Sequence, residues 1–184
     1  MTKKLIIGLV GQPSSGKDTA AQYLITKGFV HHSTSNVVRE YIVTNSLGEP
    51  KRELMQKVAN QLRQKNGPDY LARLVLQNCP KMFVTSGMRN PAEVQYLKKM
   101  GAVIIEITAP MEIRYLRAKA RGRVGEDINF EQFKIIERKE DENNDPNVQN
   151  TTAVLALADY QMENKGDLGH LYKQIDDLLV KLAP

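Results

Sequence analysis

Apolar positions along the chain follow two alternating patterns: short aliphatic runs closed by turn residues, and longer stretches with apolar residues three and four apart. The first pattern predicts buried strands and the second predicts amphipathic helices. Strands are expected at Leu5–Val10, Phe29–His32, Lys81–Thr85, Ala102–Thr108 and, more briefly, Asp159–Glu163. Between them, Ala20, Tyr23 and Leu24 set a helix over Lys17–Lys27 that Gly28 stops, and Ser33, Thr34 and Ser35 are candidate caps for a helix over Val37–Asn45. Leu54, Met55, Val58 and Leu62 mark a strong helix over Arg52–Lys65, and Asp69 caps another that runs to about Gln77 ahead of Pro80. Pro91 opens a helix to Met100, Pro110 one to Arg121, and Asn129–Glu142 is a charged helix followed by a polar loop to Asn150. A short apolar helix over Thr152–Ala158 and a C-terminal helix carrying Leu168, Leu171, Ile175, Leu178, Leu179 and Leu182 complete the set. Strands alternating with helices predict an α/β architecture in one domain, residues 1–184.

The first strand runs directly into Gly11-x4-Gly16-Lys17, with Ser14 and Ser15 inside the turn. Glycines there let backbone N–H groups close on phosphate oxygens, the helix that follows adds its partial positive charge, and Lys17 can reach the outer phosphates. A nucleotide phosphate cradle is therefore expected. Asp18 stands where a hydroxyl usually meets Mg²⁺, and Thr19 follows one position later. A carboxylate is a hard magnesium ligand, so Asp18, directly or through water, and Thr19 are the candidate metal contacts.

Composition narrows the class. At 184 residues, 41% hydrophobic and 26% charged, the chain suits one ordinary water-soluble domain, and its longest apolar runs are too short to span a bilayer. Lys3 and Lys4 imitate the start of a signal peptide, but the apolar run after them ends in the phosphate loop, so a cytoplasmic location is expected. Cys79 is the single cysteine, which excludes an intrachain disulfide and fits a small buried residue in a reducing compartment. The net charge of +5 is spread along the chain and aromatics are 6%, so anionic small substrates explain it without a nucleic-acid polymer. His31 and His32 point to opposite faces of their strand, and structural roles are expected for both.

Arginines mark the remaining chemistry. Arg39, Arg52, Arg63 and Arg73 fall in the helical segment between the second and third strands, about residues 36–79, where an acceptor phosphate would be held, and Arg39 and Arg52 are the favoured contacts. Ser86-Gly87-Met88-Arg89-Asn90-Pro91 is a strand-end turn able to aim Arg89 at a substrate phosphate. Arg114, Arg117 and Arg121 recur at helical spacing before Gly122-Arg123-Val124-Gly125, which predicts a lid over about 114–138, with Arg138 as a further contact.

With these motifs in view, the whole chain resembles the nucleoside monophosphate kinase branch of P-loop kinases. Gly16-Lys17-Asp18-Thr19 is similar to the loop of deoxynucleoside monophosphate kinases. Ala158-Asp159-Tyr160 through Glu163-Asn164-Lys165-Gly166 resembles the closing motif of dephospho-CoA kinases, and archaeal-type kinase-like proteins share the Gly87-Met88-Arg89 turn and the Ala-Asp-Tyr tail. The resemblance implies a three-layer α/β/α fold with a five-stranded parallel sheet, a small helical lid, ATP·Mg²⁺ as donor and a small phosphate-bearing acceptor. It also implies that Gly11, Gly16, Lys17 and Thr19 bind donor phosphates, that Arg89 binds the acceptor, that Arg117, Arg121 and Arg123 close the lid, and that Asn164 and Gly166 lie near the adenine. Relatives usually carry aspartate where this chain has Ser86, and a serine cannot replace that carboxylate as a base or a charged metal ligand.

Two functions of different class follow. The first is a kinase transferring the γ-phosphoryl group of ATP to a nucleotide-type acceptor, a nucleoside or deoxynucleoside monophosphate, with dephospho-CoA as the alternative. A monophosphate oxygen attacks without a strong base, which suits Ser86, whereas a ribose hydroxyl needs one. The second is a nucleotide-binding regulatory protein with weak catalysis. An NTPase switch is the least supported, since no Asn-Lys-x-Asp-type motif for reading guanine is present.

Overall fold

The structure is a computed structural model that describes residues 4–122, 128–141 and 150–182. Five strands, β1 (Leu5–Val10), β2 (Val30–Ser33), β3 (Met82–Ser86), β4 (Val103–Thr108) and β5 (Tyr160–Glu163), form one parallel sheet in the order β2-β3-β1-β4-β5. The order reverses at β1, so the residues following that strand enter the crevice where parallel α/β sheets place their ligands. The three-layer, five-stranded expectation is met.

Alternation along the strands assigns the two faces. Ile7 and Leu9 of β1, with Val84, Ile105 and Ile107, bury against α1 (Lys17–Thr26) and α9 (Leu168–Leu182). Ile6 and Val10, with Phe83 and Ile104, bury against α4 (Tyr70–Leu76), α5 (Pro91–Lys99) and α8 (Thr151–Leu155). Strands buried on both sides read as continuous aliphatic runs, which is why β1 and β4 were evident in the sequence. A third cluster, formed by Val38, Ile42, Val58, Leu62 and Leu71, packs α2 (Thr34–Thr44) and α3 (Arg52–Asn66) onto α4.

Local chemistry departs from expectation at the starts of α2, α4 and α8. Ser33 accepts from the Asn36 amide at 3.1 Å, so α2 starts at Thr34 rather than Val37 and β2 shifts one residue to end at Ser33. Asp69 stands at the N-cap of α4 without capping it, and its carboxylate pairs with Arg73 at 3.3 Å instead. Asn150 caps α8 through the Ala153 amide, and the helix ends at Leu155. The Asp159 carboxylate accepts from the Ile104 amide at 2.8 Å and pairs with Lys98 at 2.6 Å, fastening the start of β5 to β4 and α5. Burial alone would raise the pKa of Asp159, but the Lys98 and Ile104 hydrogen bonds prevail and hold it below its usual value.

Helices α6 (Met111–Ala120) and α7 (Phe130–Asp141) stand beyond the strand ends. Arg114 does not share a solvent-facing stripe with Arg117 and Arg121. It is buried, donates to the Ala109 carbonyl and pairs with Glu137, tying α6 to α7. The mixed spacing of the three arginines thus conceals two jobs, one structural and one at the cleft. Among the described residues, no helix is long and apolar enough to cross a membrane.

Candidate active site

The turn after β1 is shaped for close approach. Gly11 has φ +147°, and a Cβ there would lie 2.3 Å from the Ile107 carbonyl oxygen, while Gly16 has φ +108° and would clash with the Asn164 amide at 2.0 Å. Only glycine fits both corners. Gly16 opens α1 in a left-handed conformation, and no side chain caps the helix there. Lys17 Nζ arches back over the turn to donate to the Gly11 and Gln12 carbonyls, both at 2.8 Å. Ser15 Oγ is buried without a hydrogen-bond partner in the same turn. An unpartnered hydroxyl, an uncapped helix N-terminus and a lysine bent over the loop form a set that a triphosphate would satisfy.

This loop lines a cleft of about 720 Å³ together with residues of the segment where an acceptor is expected. Arg39 of α2, Arg52 of α3 and Arg89 after β3 all line it, together with Lys17, Asp18 and Arg121. With Arg63 also at its wall, five arginines and a lysine around one space make it strongly attractive to phosphates. The expected acceptor arginines and Arg121 therefore share the cleft with the loop. Asp18 is exposed, with its carboxylate 3.8 Å from Arg121. Thr19 does not line the cleft, so of the two candidate metal contacts Asp18 is the one at its wall. No group of three or more His, Cys, Asp or Glu among the described residues could hold a metal ion.

Arg117 and Asn164 sit behind the loop. Arg117 donates to the carbonyls of Ser14 and Ser15 and to both the carbonyl and the side-chain oxygen of Asn164, at 3.0–3.4 Å. Asn164 is 1% exposed and gives its amide hydrogen to the Ser15 carbonyl at 2.9 Å. These bonds fix the Ser14 and Ser15 carbonyls of the turn. Burial, and secondarily the neighbouring Arg121 guanidinium, lower the Arg117 pKa from its ordinary value, and an arginine starting so high stays charged at neutral pH. Gly166 has φ +115° and no atom within 4 Å of the position of a Cβ, and it does not line the cleft. Arg123 lies outside the described residues, as does the side chain of Arg138.

Two features escaped the sequence reading. The first is the pair Arg63–Glu93, 2% and 0% exposed, joined at 2.9 Å through both Nε and Nη2 of the arginine. The other carboxylate oxygen accepts from the Arg89 and Asn90 amides at 2.9 and 3.2 Å, so one buried acid holds the Arg89 turn against α3. The Asn90-x-x-Glu93 spacing is a capping box and could have signalled the acid, though not its arginine. The second is His31, whose Nε2 lies 3.0 Å from Ser86 Oγ and which lines the cleft. A structural role is expected for both histidines; His32 faces away toward Glu40 at 3.6 Å, whereas His31 stands at the cleft wall. Strand alternation did allow one of the two to reach a site.

Fold and site together define a P-loop protein of the kinase-like type. The chain belongs to the AAA domain family, whose model matches residues 7–147, and to the UPF0200 family, being 31% identical to the UPF0200 protein of Aeropyrum pernix over 91% of this chain and 88% of that one. It is 32% identical to a UPF0200/UPF0201 protein of Archaeoglobus fulgidus over 97% of this chain, and it spans 56% of that relative's length. In three dimensions it resembles TT1252 of Thermus thermophilus, with TM-score 0.63, 18% identity and coverage of 99% and 100% of the two chains. Shikimate kinase of Acinetobacter baumannii, solved with shikimate, matches with TM-score 0.60 and 15% identity over 96% of this chain and 93% of that one.

Proposed function

We propose that this protein is an ATP-dependent phosphotransferase, cytoplasmic, which moves the γ-phosphoryl group to a small, phosphate-bearing acceptor of nucleotide type. The observation that carries the reading is the shared cleft, which the glycine-rich loop and Lys17 line together with Arg39, Arg52, Arg89 and Arg121. Bound ATP·Mg²⁺ would supply the phosphoryl group and the divalent charge. The protein's part is positioning: the loop amides and Lys17 hold the donor, Asp18 faces the metal, and Arg89 with Arg39 and Arg52 orient the acceptor. Arg121 neutralises the charge that spreads over the transferred group, which is the main demand of phosphoryl transfer, while Arg117 braces the loop from its carbonyl side. The resemblance puts the adenine near Asn164 and Gly166, and α6–α7 act as the lid that excludes water. The UPF0200 relationship and the likeness to a shikimate kinase support a kinase-type P-loop protein, and the acceptor's identity rests on the arginines alone.

The test is ADP release from ATP·Mg²⁺ against ribo- and deoxynucleoside monophosphates and dephospho-CoA, with Lys17→Ala as control. Acceptor-dependent turnover, reduced on the order of 100-fold in the control, is expected from loss of a charge-assisted contact worth roughly 1.5–3 kcal/mol and of transition-state stabilisation besides. ATP binding by calorimetry with no acceptor-dependent ADP would replace this reading with that of a nucleotide-binding regulatory protein, which Ser86 would then explain.

A further inference from the structure

At the acceptor end of the cleft lies a pair of groups that phosphate binding does not use. β2 and β3 run side by side with His31 opposite Val84 and Ser33 opposite Ser86. This register brings His31 Nε2 to 3.0 Å from Ser86 Oγ, and both residues line the cleft with Lys17 and Arg89. Ser86 is 5% exposed, so its hydroxyl is held rather than rotating freely in solvent. Neither strand end carries a carboxylate: β2 closes on His31-His32-Ser33 and β3 on Thr85-Ser86. Among the described residues lining the cleft, only Asp18 and His31 have side chains able to take up a proton near neutral pH, and Asp18 is already beside Arg121.

A phosphate oxygen attacking phosphorus has no proton to lose at neutral pH and needs no such pair, whereas an alcohol must lose its proton as the new bond forms. We propose that Ser86 and His31 are the proton path for a hydroxyl acceptor, so that this protein phosphorylates an alcohol group of its phosphate-bearing substrate. The inference rests on the phosphotransferase reading and names the attacking atom within it.

The step balances as follows. The acceptor O–H donates to Ser86 Oγ while the Ser86 O–H donates to His31 Nε2, which is unprotonated in the tautomer carrying its hydrogen on Nδ1. The acceptor oxygen bonds to the γ-phosphorus as the bond from that phosphorus to the β–γ bridging oxygen breaks. ADP leaves and the proton remains on His31. Ser86 touches the substrate, and His31 acts through it. Burial lowers the His31 pKa, which keeps the ring neutral and able to accept, and the Asp18 carboxylate opposes that shift and so favours the imidazolium once it forms. The other charged groups on elements packed against β2 are Lys17 of α1 and Arg39 and Glu40 of α2. Glu40 is turned toward His32, whose own charge would lower the His31 pKa, and β3 contributes no charged side chain. This path revises the weight given to Ser86 alone, because the missing aspartate is replaced by a serine backed by a histidine.

The experiment uses two sets of probes with ATP·Mg²⁺: dephospho-CoA, shikimate and nucleosides as alcohols, and nucleoside monophosphates, which offer either a phosphate oxygen or a hydroxyl. Phosphorus NMR of the product separates a phosphomonoester from a phosphoanhydride whichever probe reacts. The expected product is the ester. In His31→Gln, kcat should fall on the order of 100-fold, as for loss of a general base, while the KM for ATP changes by less than about twofold. Adding Ser86→Asp to His31→Gln should restore much of the rate, since the carboxylate can take the proton directly, and a merely structural histidine would show no such rescue. An anhydride product, or an undiminished kcat in His31→Gln, would overturn the proton path and leave the phosphotransferase standing. ATP binding without acceptor-dependent ADP from any probe would overturn both. Product type is read on the unaltered protein, so the inference remains decidable even if the variants fail to fold.

Discussion

The two walls of the cleft are built by different means. The donor wall is one continuous turn, Gly11 to Lys17, whose geometry comes from glycine conformations and from a lysine and a helix terminus adjacent in sequence. The acceptor wall is assembled from side chains on β2, α2, α3 and the turn after β3, and its keystone is a buried carboxylate thirty positions from its arginine. A wall made of local backbone carries its shape in the chain itself. One made of distant side chains depends on tertiary packing and fails with it. The two should therefore break separately.

The largest effect is expected from Glu93→Ala. It leaves the Arg63 guanidinium buried without its partner and strips the Arg89 and Asn90 amides of their acceptor, a loss of roughly 3–5 kcal/mol as for breaking other buried pairs. Denaturant titration measures it through a lowered midpoint at an unchanged slope. If the walls are independent, the fraction still folded binds ATP with its original affinity, while the KM for the acceptor rises. A parallel loss of ATP affinity would show that the loop leans on the acceptor wall.

Gly11→Ala probes the other wall. The new methyl group would meet the Ile107 carbonyl and Ser15 Oγ at 2.3 and 2.8 Å with φ at +147°, so a strain of about 1–3 kcal/mol is expected, with ATP binding lost to calorimetry. The Arg63–Glu93 pair and the helices around it should be untouched, and the protein should melt in one transition only a few degrees lower.

The same contrast explains what could be read from the sequence. β1, the glycine corners, Lys17 and the amphipathic face of α3 are local signals, in which residues a few positions apart decide the structure. So are the double burial of β1 and β4 and the stop at Gly101. The arginines of the cleft were located by motif and segment, and Arg39, Arg52, Arg89 and Arg121 do line it. Arg114 was grouped with Arg117 and Arg121 because spacing on a helix cannot reveal that Glu137 lies opposite. Asn164 is expected near the adenine; in the structure its amide N–H donates to the Ser15 carbonyl and its side-chain oxygen accepts from Arg117, contacts between distant parts of the chain. His31 was hidden for the same reason: its meaning depends on Ser86, which becomes its neighbour only through the pairing of β2 with β3. Chemistry carried by a turn was legible, and chemistry carried by strand pairing was not.

The smallest effect belongs to the ion pair between the first turn of α1, beside the loop, and the end of α6. Asp18 of the donor wall lies 3.8 Å from Arg121, and both side chains are substantially exposed. In water such a pair contributes less than about 1 kcal/mol, further screened by salt, so Arg121→Gln should leave the melting temperature almost unchanged. On the proposed reading its consequence appears in turnover, because that reading puts the guanidinium beside the transferred group, where charge spreads only in the transition state. A fall in kcat of about tenfold or more with little change in the KM for ATP is expected, and Asp18→Asn, which frees Arg121 from its partner, should not reproduce it by that route. A double-mutant cycle separates the two: coupling below about 1 kcal/mol in stability alongside strong coupling in kcat would mean that the bridge forms around the reacting phosphate. Equal coupling in both would make it an ordinary surface pair, and the two walls would then meet only through the substrate they hold.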